Sequence, residues 1–141
     1  MTYSEANSKI LADVVSALES CGFQNGDKLT KAEIKASSAI LFYNGDVDDS
    51  EAKSKDFISY GLVPVYVNDH ADNSKVFITC NCYVDYVTSG SVVRKSVKTM
   101  SARLEEALTD AEFIITFNGI IADAEDKLVR LSFNVSKGYG G

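Results

Sequence analysis

The hydrophobic pattern changes its period over a few residues, and this change constrains the fold more than any other feature of the sequence. From Lys75 to Thr88 apolar and polar side chains alternate, with Val76, Ile78, Cys80, Cys82, Val84 and Tyr86 on one side. Residues two apart in a strand share a face, so a strand with one buried face is predicted here. After Ser89-Gly90-Ser91 apolar residues recur at helical spacing, which predicts a long helix over residues 91–111.

The remaining patterns complete the order of elements. Ile10, Leu11, Val14, Val15 and Leu18 predict a helix over 4–21, with Gly22 ending it, and Thr30-Lys-Ala-Glu33 is a capping box that predicts a short helix. Strands are predicted over 39–43, 57–67, 113–121 and 128–136. Within 57–67, Gly61 suggests a bulge and Pro64 lacks a ladder donor, so an edge or interrupted strand is expected.

The order α-βββ-α-ββ predicts an α+β fold in which two helices pack on a mostly antiparallel sheet. The chain has 141 residues, which is the size of one domain, and no interior linker divides it. We therefore expect a single α+β domain over residues 1–137. Gly138-Tyr-Gly-Gly141 is expected to be a flexible tail.

The charge excludes two classes of function. Lys and Arg number 14 and Asp and Glu number 20, which gives a net charge of −6. Sequence-specific or general nucleic-acid binding and anionic-membrane binding both favour a basic surface, so neither is expected. The longest uncharged stretch, Phe57 to Asn68, is shorter than the roughly 18–20 apolar residues of a membrane-spanning helix. The start of the chain lacks the pattern of a signal peptide.

No pattern of side chains indicates catalysis, a cofactor or a metal. Cys80 and Cys82 would lie side by side on a strand, but Cys21 and His70 form no metal-binding spacing with them, so core packing is expected. The acidic run from Asp46 to Glu51 fails as a calcium loop, because the sixth position is Glu51 and the twelfth is Phe57. We therefore expect no enzyme activity.

Two segments share a short motif: Ile40-Leu-Phe-Tyr-Asn-Gly45 and Ile114-Ile-Thr-Phe-Asn-Gly119. Duplication of a helix-plus-hairpin unit would explain the similarity. Chance would also explain it, because apolar strands often end in Asn-Gly. The sequence leaves both explanations open.

The second long helix places its charges against the helix dipole. Arg94, Lys95 and Lys98 lie in its first two turns, whereas acidic residues such as Glu105 and Asp110 lie toward its end. A basic helix start facing an acidic surface of another subunit would explain this order. Residues 1–70 hold six basic and eleven acidic side chains, so such a surface is available. Arg94, Lys95 and Lys98 are therefore the candidate interface residues, and a solvated face is the alternative.

In element order the chain resembles the tail-terminator or tail-completion (neck) proteins of long-tailed bacteriophages. The resemblance covers the helix from Ser4 to Cys21, the segment Leu62-Val-Pro-Val-Tyr-Val67, the strand from Lys75 to Thr88, the helix from Ser91 to Ala111 and the hairpin from Phe113 to Ser136. It implies a virion structural protein, assembled in the host cytoplasm, that forms a hexameric ring at the head-proximal end of the tail. The implied partners are further copies of the chain and other tail or neck proteins.

Type III secretion chaperones have a similar order of elements and are also acidic. That resemblance implies a cytoplasmic dimer that holds a partner polypeptide. In both readings the functional surface is a protein–protein interface.

Overall fold

A computed structural model describes residues 1–47, 55–63, 78–89, 94–123 and 128–140 of the chain. The elements follow in the order α1 (Tyr3–Ser20), β1 (Gln24–Asn25), a 3₁₀ turn (Gly26–Lys28), α2 (Lys31–Ala36), β2 (Leu41–Asn44), β3 (Phe57–Leu62), β4 (Ile78–Ser89), α3 (Arg94–Asp110), β5 (Ile114–Asp123) and β6 (Leu128–Tyr139). His70, Pro64 and most of the acidic run after Asp46 lie outside the described residues.

The described strands form one sheet in the order β1-β2-β3-β4-β6-β5. The pairings β1 with β2 and β2 with β3 are parallel, and the other three are antiparallel. The predicted α+β class and mostly antiparallel sheet are confirmed. The long β4–β6 ladder runs from Ile78 opposite Tyr139 to Ser89 opposite Leu128, next to the short parallel strands.

The main core lies between one face of this sheet and the two long helices. As the alternation predicted, Ile78, Cys80, Cys82, Val84 and Tyr86 are all buried, and Val76 lies outside the described residues. They pack with α1, α3 and the buried side chains of β6, which are Leu131, Phe133 and Val135. Burial of these side chains is the main favourable term for the fold.

The short helix α2 covers part of the opposite face. The capping box is present, because the Thr30 hydroxyl accepts from the backbone N–H of Glu33 and the Glu33 carboxylate accepts from that of Thr30. A second apolar cluster there contains Ile34, Leu41, Tyr43, Phe57 and Val87. Two long helices on one face of the sheet were predicted. Because α2 covers the opposite face, the β2–β3 end of the sheet is buried on both faces.

Strand β3 differs from its prediction. Of the two expected positions, edge or interrupted, the edge position is wrong, because β3 lies between β2 and β4. The strand ends at Leu62, and the predicted residues 64–67, Pro64 included, lie outside the described residues. No bulge occurs at Gly61, which pairs in register with Tyr83. The glycine instead makes room for the Tyr83 ring, since a Cβ at position 61 would lie 2.8 Å from ring atom Cε1. Among the described strand pairings, a register shift occurs in β5, between Ile115 and Phe117.

The chain end differs from the prediction of a flexible tail, and the two copies of the shared motif differ from each other. Strand β6 continues through Gly138 and Tyr139, because the Tyr139 hydroxyl donates to the Asp13 carboxylate of α1. Asn44 ends β2 and Gly45 has a positive φ, whereas Asn118-Gly119 stays paired inside β5. The two copies of the motif therefore stand in different structures, one at a strand end and one within a strand.

The two long helices end in the same way. The backbone N–H of Phe23 donates to the carbonyl of Leu18 (3.1 Å), and that of Phe113 donates to the carbonyl of Leu108 (3.0 Å). The residue before each phenylalanine is left-handed, with φ of 94° at Gly22 and 67° at Glu112. This closure satisfies terminal carbonyls and normally favours glycine at the left-handed position.

Single substitutions at these two left-handed positions should change the free energy of unfolding in opposite directions. A side chain in the left-handed region costs about 1–2 kcal/mol, so Glu112→Gly should raise the free energy of unfolding by about 1 kcal/mol. Gly22→Ala should lower it by about 1 kcal/mol, because a Cβ there meets no atom closer than 4.0 Å and the cost is purely conformational. Urea denaturation measures both, and equal signs for the two variants would contradict this account.

A cation from elsewhere in the chain caps the carboxyl end of each helix. Neither long helix has a basic residue in its last turn. Arg103 Nη2 donates to the carbonyl of Cys21 at the end of α1 (2.9 Å), and Lys137 Nζ donates to the carbonyl of Ala111 after α3 (2.9 Å). Lys55 Nζ bonds three carbonyls at the end of α2, those of Ile34, Lys35 and Ser37. The helix dipoles are thus balanced through tertiary contacts.

Replacing Lys137 tests whether these cations stabilise the helix ends. Lys137→Met keeps the aliphatic stem but removes the bond to Ala111, the ion pair with Asp13 at 3.3 Å and the cation over the Phe113 ring. We expect the free energy of unfolding to fall by about 1–2 kcal/mol. Lys9→Met, at an exposed site on α1, is the control and should change stability by less than about 0.5 kcal/mol. Equal effects at both positions would contradict the cap.

Candidate interaction surface

Strand β5 is an outer strand of the sheet, and it carries most of the large apolar side chains that are exposed. Among the described residues, five such side chains are exposed, and four belong to β5: Ile114 (66%), Phe117 (47%), Ile120 (66%) and Ile121 (51%). The fifth is Leu62. No charged residue occurs from Phe113 to Ala122. An uncharged apolar strand at the edge of a sheet is a site where another chain can add.

The apolar side chains of β5 occupy both faces of the strand. Ile114, Phe117 and Ile121 stand opposite Ser136, Asn134 and Arg130 of β6, on the face turned away from the long helices. Ile120 stands opposite Leu131, which belongs to the main core, and so lies on the helix face. Covering both sets requires a partner beside the strand rather than above one face.

The exposure results from where α3 stops covering the sheet. Phe113 is buried and Ile115 packs against the core, because they directly follow the end of α3. Farther along the strand Asn118, Ile120 and Ala122 on the helix face are exposed. On the other face the Phe117 ring lies over Gly119, where a Cβ would come within 2.7 Å of ring atom Cζ. The sheet extends past its helical cover.

The two outer strands of the sheet are very different. Strand β1 has only two residues, and a short edge strand offers little to an incoming chain. The carboxylate of Asp27, just after β1, accepts from the backbone N–H of Asn44 (2.8 Å) and so occupies the next position along β2. Strand β5 has ten residues and neither a charge nor a proline before its last residue, and its bulge at Thr116 comes early. Among the described residues, the β1 edge is short and partly occupied by Asp27, whereas the β5 edge has the early bulge alone.

The predicted interface residues lie on the helix that precedes this strand. Helix α3 begins at Arg94, and Lys98 is exposed in its second turn. The side chains of Arg94 and Lys95 lie outside the described part of the structure. Sequence reasoning selected these charges and passed over β5, although the absence of charge from Phe113 to Ala122 was a readable signal.

The cysteines are placed as packing requires. Cys80 and Cys82 are buried in the main core, and burial raises the pKa of both thiols, that of Cys82 to about 12. Cys21 is half-buried beside Arg103. Within the described ranges, no three His, Cys, Asp or Glu side chains are grouped so that they could hold a metal ion.

Thiol labelling tests this placement. In the native protein at pH 8, we expect a negatively charged aromatic disulfide reagent to modify Cys21 alone, because the other two thiols are buried and protonated. Three equivalents should react in denaturant. Rapid native reaction of Cys80 or Cys82, located by peptide mass spectrometry, would contradict the burial described here.

Two groups of polar side chains are paired within the chain, one at Asp85 and one at Asp13 and Lys137. Asp85 accepts from the Ser132 hydroxyl (2.7 Å) and lies 3.7 Å from Arg130; burial raises the pKa of its carboxyl, and these two partners oppose the shift. A shallow groove of about 330 Å³ runs between α1 and α3. Its polar side chains include Asp13 and Lys137, which are paired with each other. The bond from Ser132 to Asp85 joins β6 to β4, and the ion pair between Asp13 and Lys137 joins α1 to β6.

Comparison with models of known protein families gives no match, and no curated protein matches the chain. Among the described helices, none has both the length and the apolar composition needed to cross a membrane.

Proposed function

We propose that the chain is a structural assembly subunit, without enzymatic activity, that joins to further copies of itself. The observation that carries the proposal is the uncharged β5 edge, with large apolar side chains exposed on both faces. Several large apolar side chains exposed on one strand are costly to leave in water and are typical of protein–protein contacts.

The particular assembly proposed is the ring of tail-terminator proteins, which the element order of the chain resembles. In this proposal copies of the chain close a ring at the head-proximal end of a phage tail and contact other tail or neck proteins. The basic start of α3, with Arg94, Lys95 and Lys98, forms a second contact with an acidic surface of a neighbouring copy. Two different contacts on each subunit allow a closed ring, whereas a single two-fold contact ends at a dimer.

A chaperone-like dimer that binds a partner polypeptide is the second candidate. The feature that favours it is the same open edge, because an extended polypeptide can add to a sheet as a further strand. The candidates differ in the number of chains: a ring requires more than two copies, and the chaperone requires two.

Mass in solution tests the proposed function. Native mass spectrometry and light scattering at low salt should give a six-membered ring for the intact chain. A stable dimer that captures unfolded polypeptide would support the chaperone candidate instead. A monomer at every concentration would contradict both candidates.

Charge reversal tests the second contact. Replacing Arg94, Lys95 and Lys98 together by Glu should convert the ring into smaller species, because each reversal turns an attraction into a repulsion. Reversing the exposed lysines Lys28, Lys31 and Lys35 changes the net charge equally and is the matched control. A ring that survives reversal on α3 would remove α3 from the interface.

A further inference from the structure

We infer that two copies of the chain pair antiparallel through their β5 strands, about a two-fold axis that passes near Gly119. The six-stranded sheets of the two copies would then form one continuous sheet with the long helices of both copies on the same side. This inference rests on the proposed function, since it names the surface by which copies of the chain join.

The partner must be an extended strand. Strand β5 pairs with β6 on one side, and no other described segment pairs with it on its outer side. The backbone N–H and C=O groups along that side are therefore a template for ladder bonds, which only another strand satisfies along their whole length.

The partner must also be free of charge over this length. The chain carries a net charge of −6, so two copies repel overall, and this repulsion is weakest where the facing surfaces carry no charge or opposite charges. The segment from Phe113 to Ala122 is such a place. A basic or acidic partner strand would form the ladder but find no opposite charge along β5, whereas a second β5 matches it in both neutrality and apolar content.

The other edge of the sheet cannot supply this partner. Strand β1 offers two residues, and Asp27 already bonds the backbone of Asn44 at the next position. Head-to-tail continuation of the sheet would therefore form only a short ladder. Within the described chain, the edge that matches β5 in length is another β5, and pairing of identical edges is two-fold symmetric.

The side chains match in an antiparallel pair centred on Gly119. Phe117 of each copy then stands opposite Ile121 of the other, on the face away from the helices, which is a favourable aromatic–aliphatic pair. Asn118 stands opposite Ile120 on the helix face. Glu112 and Asp123 lie outside this central segment, so acidic side chains do not face each other across it.

Paired charges at Asn118 and Ile120 test both the contact and its register. Both side chains are exposed, so substitution there should leave the fold intact, as circular dichroism can verify. In Asn118→Lys/Ile120→Lys every charge across the axis meets a like charge, and we expect the pairing constant to fall at least tenfold. In Asn118→Glu/Ile120→Lys every Glu meets a Lys, so pairing should recover. Leu62→Lys changes an exposed apolar residue outside β5 and is the control.

The outcomes separate this inference from the proposed function. β5 pairing is supported if native mass spectra show that only the all-lysine variant loses its dimers, together with the larger species that are built from dimers. A six-membered ring that is unchanged in the all-lysine variant contradicts β5 pairing and leaves the ring proposal in place. A wild-type dimer that never grows but dissociates in that variant supports β5 pairing and contradicts the ring. Equal effects of both charged variants contradict the register.

Discussion

The packing of α1 and α3 across one face of the β4–β6 ladder is the contact on which the rest of this structure depends. The two longest strands form that ladder, and their buried side chains meet the apolar sides of both long helices. Ala17 of α1 and Ala107 of α3 both line the groove between the two helices. Because Phe113 and Ile115 pack against the core at the end of α3 while Ile120 and Ile121 are exposed, β5 extends beyond the helices, and its exposed surface is a consequence of the same packing.

The helix ends show how this packing is fixed without local sequence signals. Arg103 of α3 caps α1 and also lies 4.8 Å from the centre of the Phe23 ring. Lys137 of β6 caps the end of α3 and lies 5.1 Å from the centre of the Phe113 ring. Each cation therefore joins a helix end to another element. The acidic end of α3 looked unfavourable in the sequence because the compensating lysine lies 26 residues beyond the capped carbonyl.

Local patterns predicted most of the helices and strands. The predictions that failed depended on contacts between residues far apart in the sequence. The alternation around Cys80 and Cys82, the two long helices and the Thr30 capping box are all present, because each depends on neighbouring residues. The prediction that β3 could lie at an edge of the sheet was wrong, because no local pattern tells which strand lies between two others. The role of Gly61 depends on Tyr83, a partner 22 residues away, and Tyr139 is held in β6 by Asp13 at the opposite end of the chain. The exposed β5 surface had a local signal, the lack of charge, but its exposure depends on how far α3 reaches.

The central claim is that β5 is the surface by which copies of the chain meet, and backbone hydrogen exchange tests it most directly. Exchange of the segment Phe113–Ala122 should slow as the protein concentration rises through the range in which the solution mass increases, because new ladder bonds protect its amides. The segment around Gln24 and Asn25, at the other edge, should exchange at an unchanged rate. An increase in mass with no change in exchange at β5 would contradict the claim.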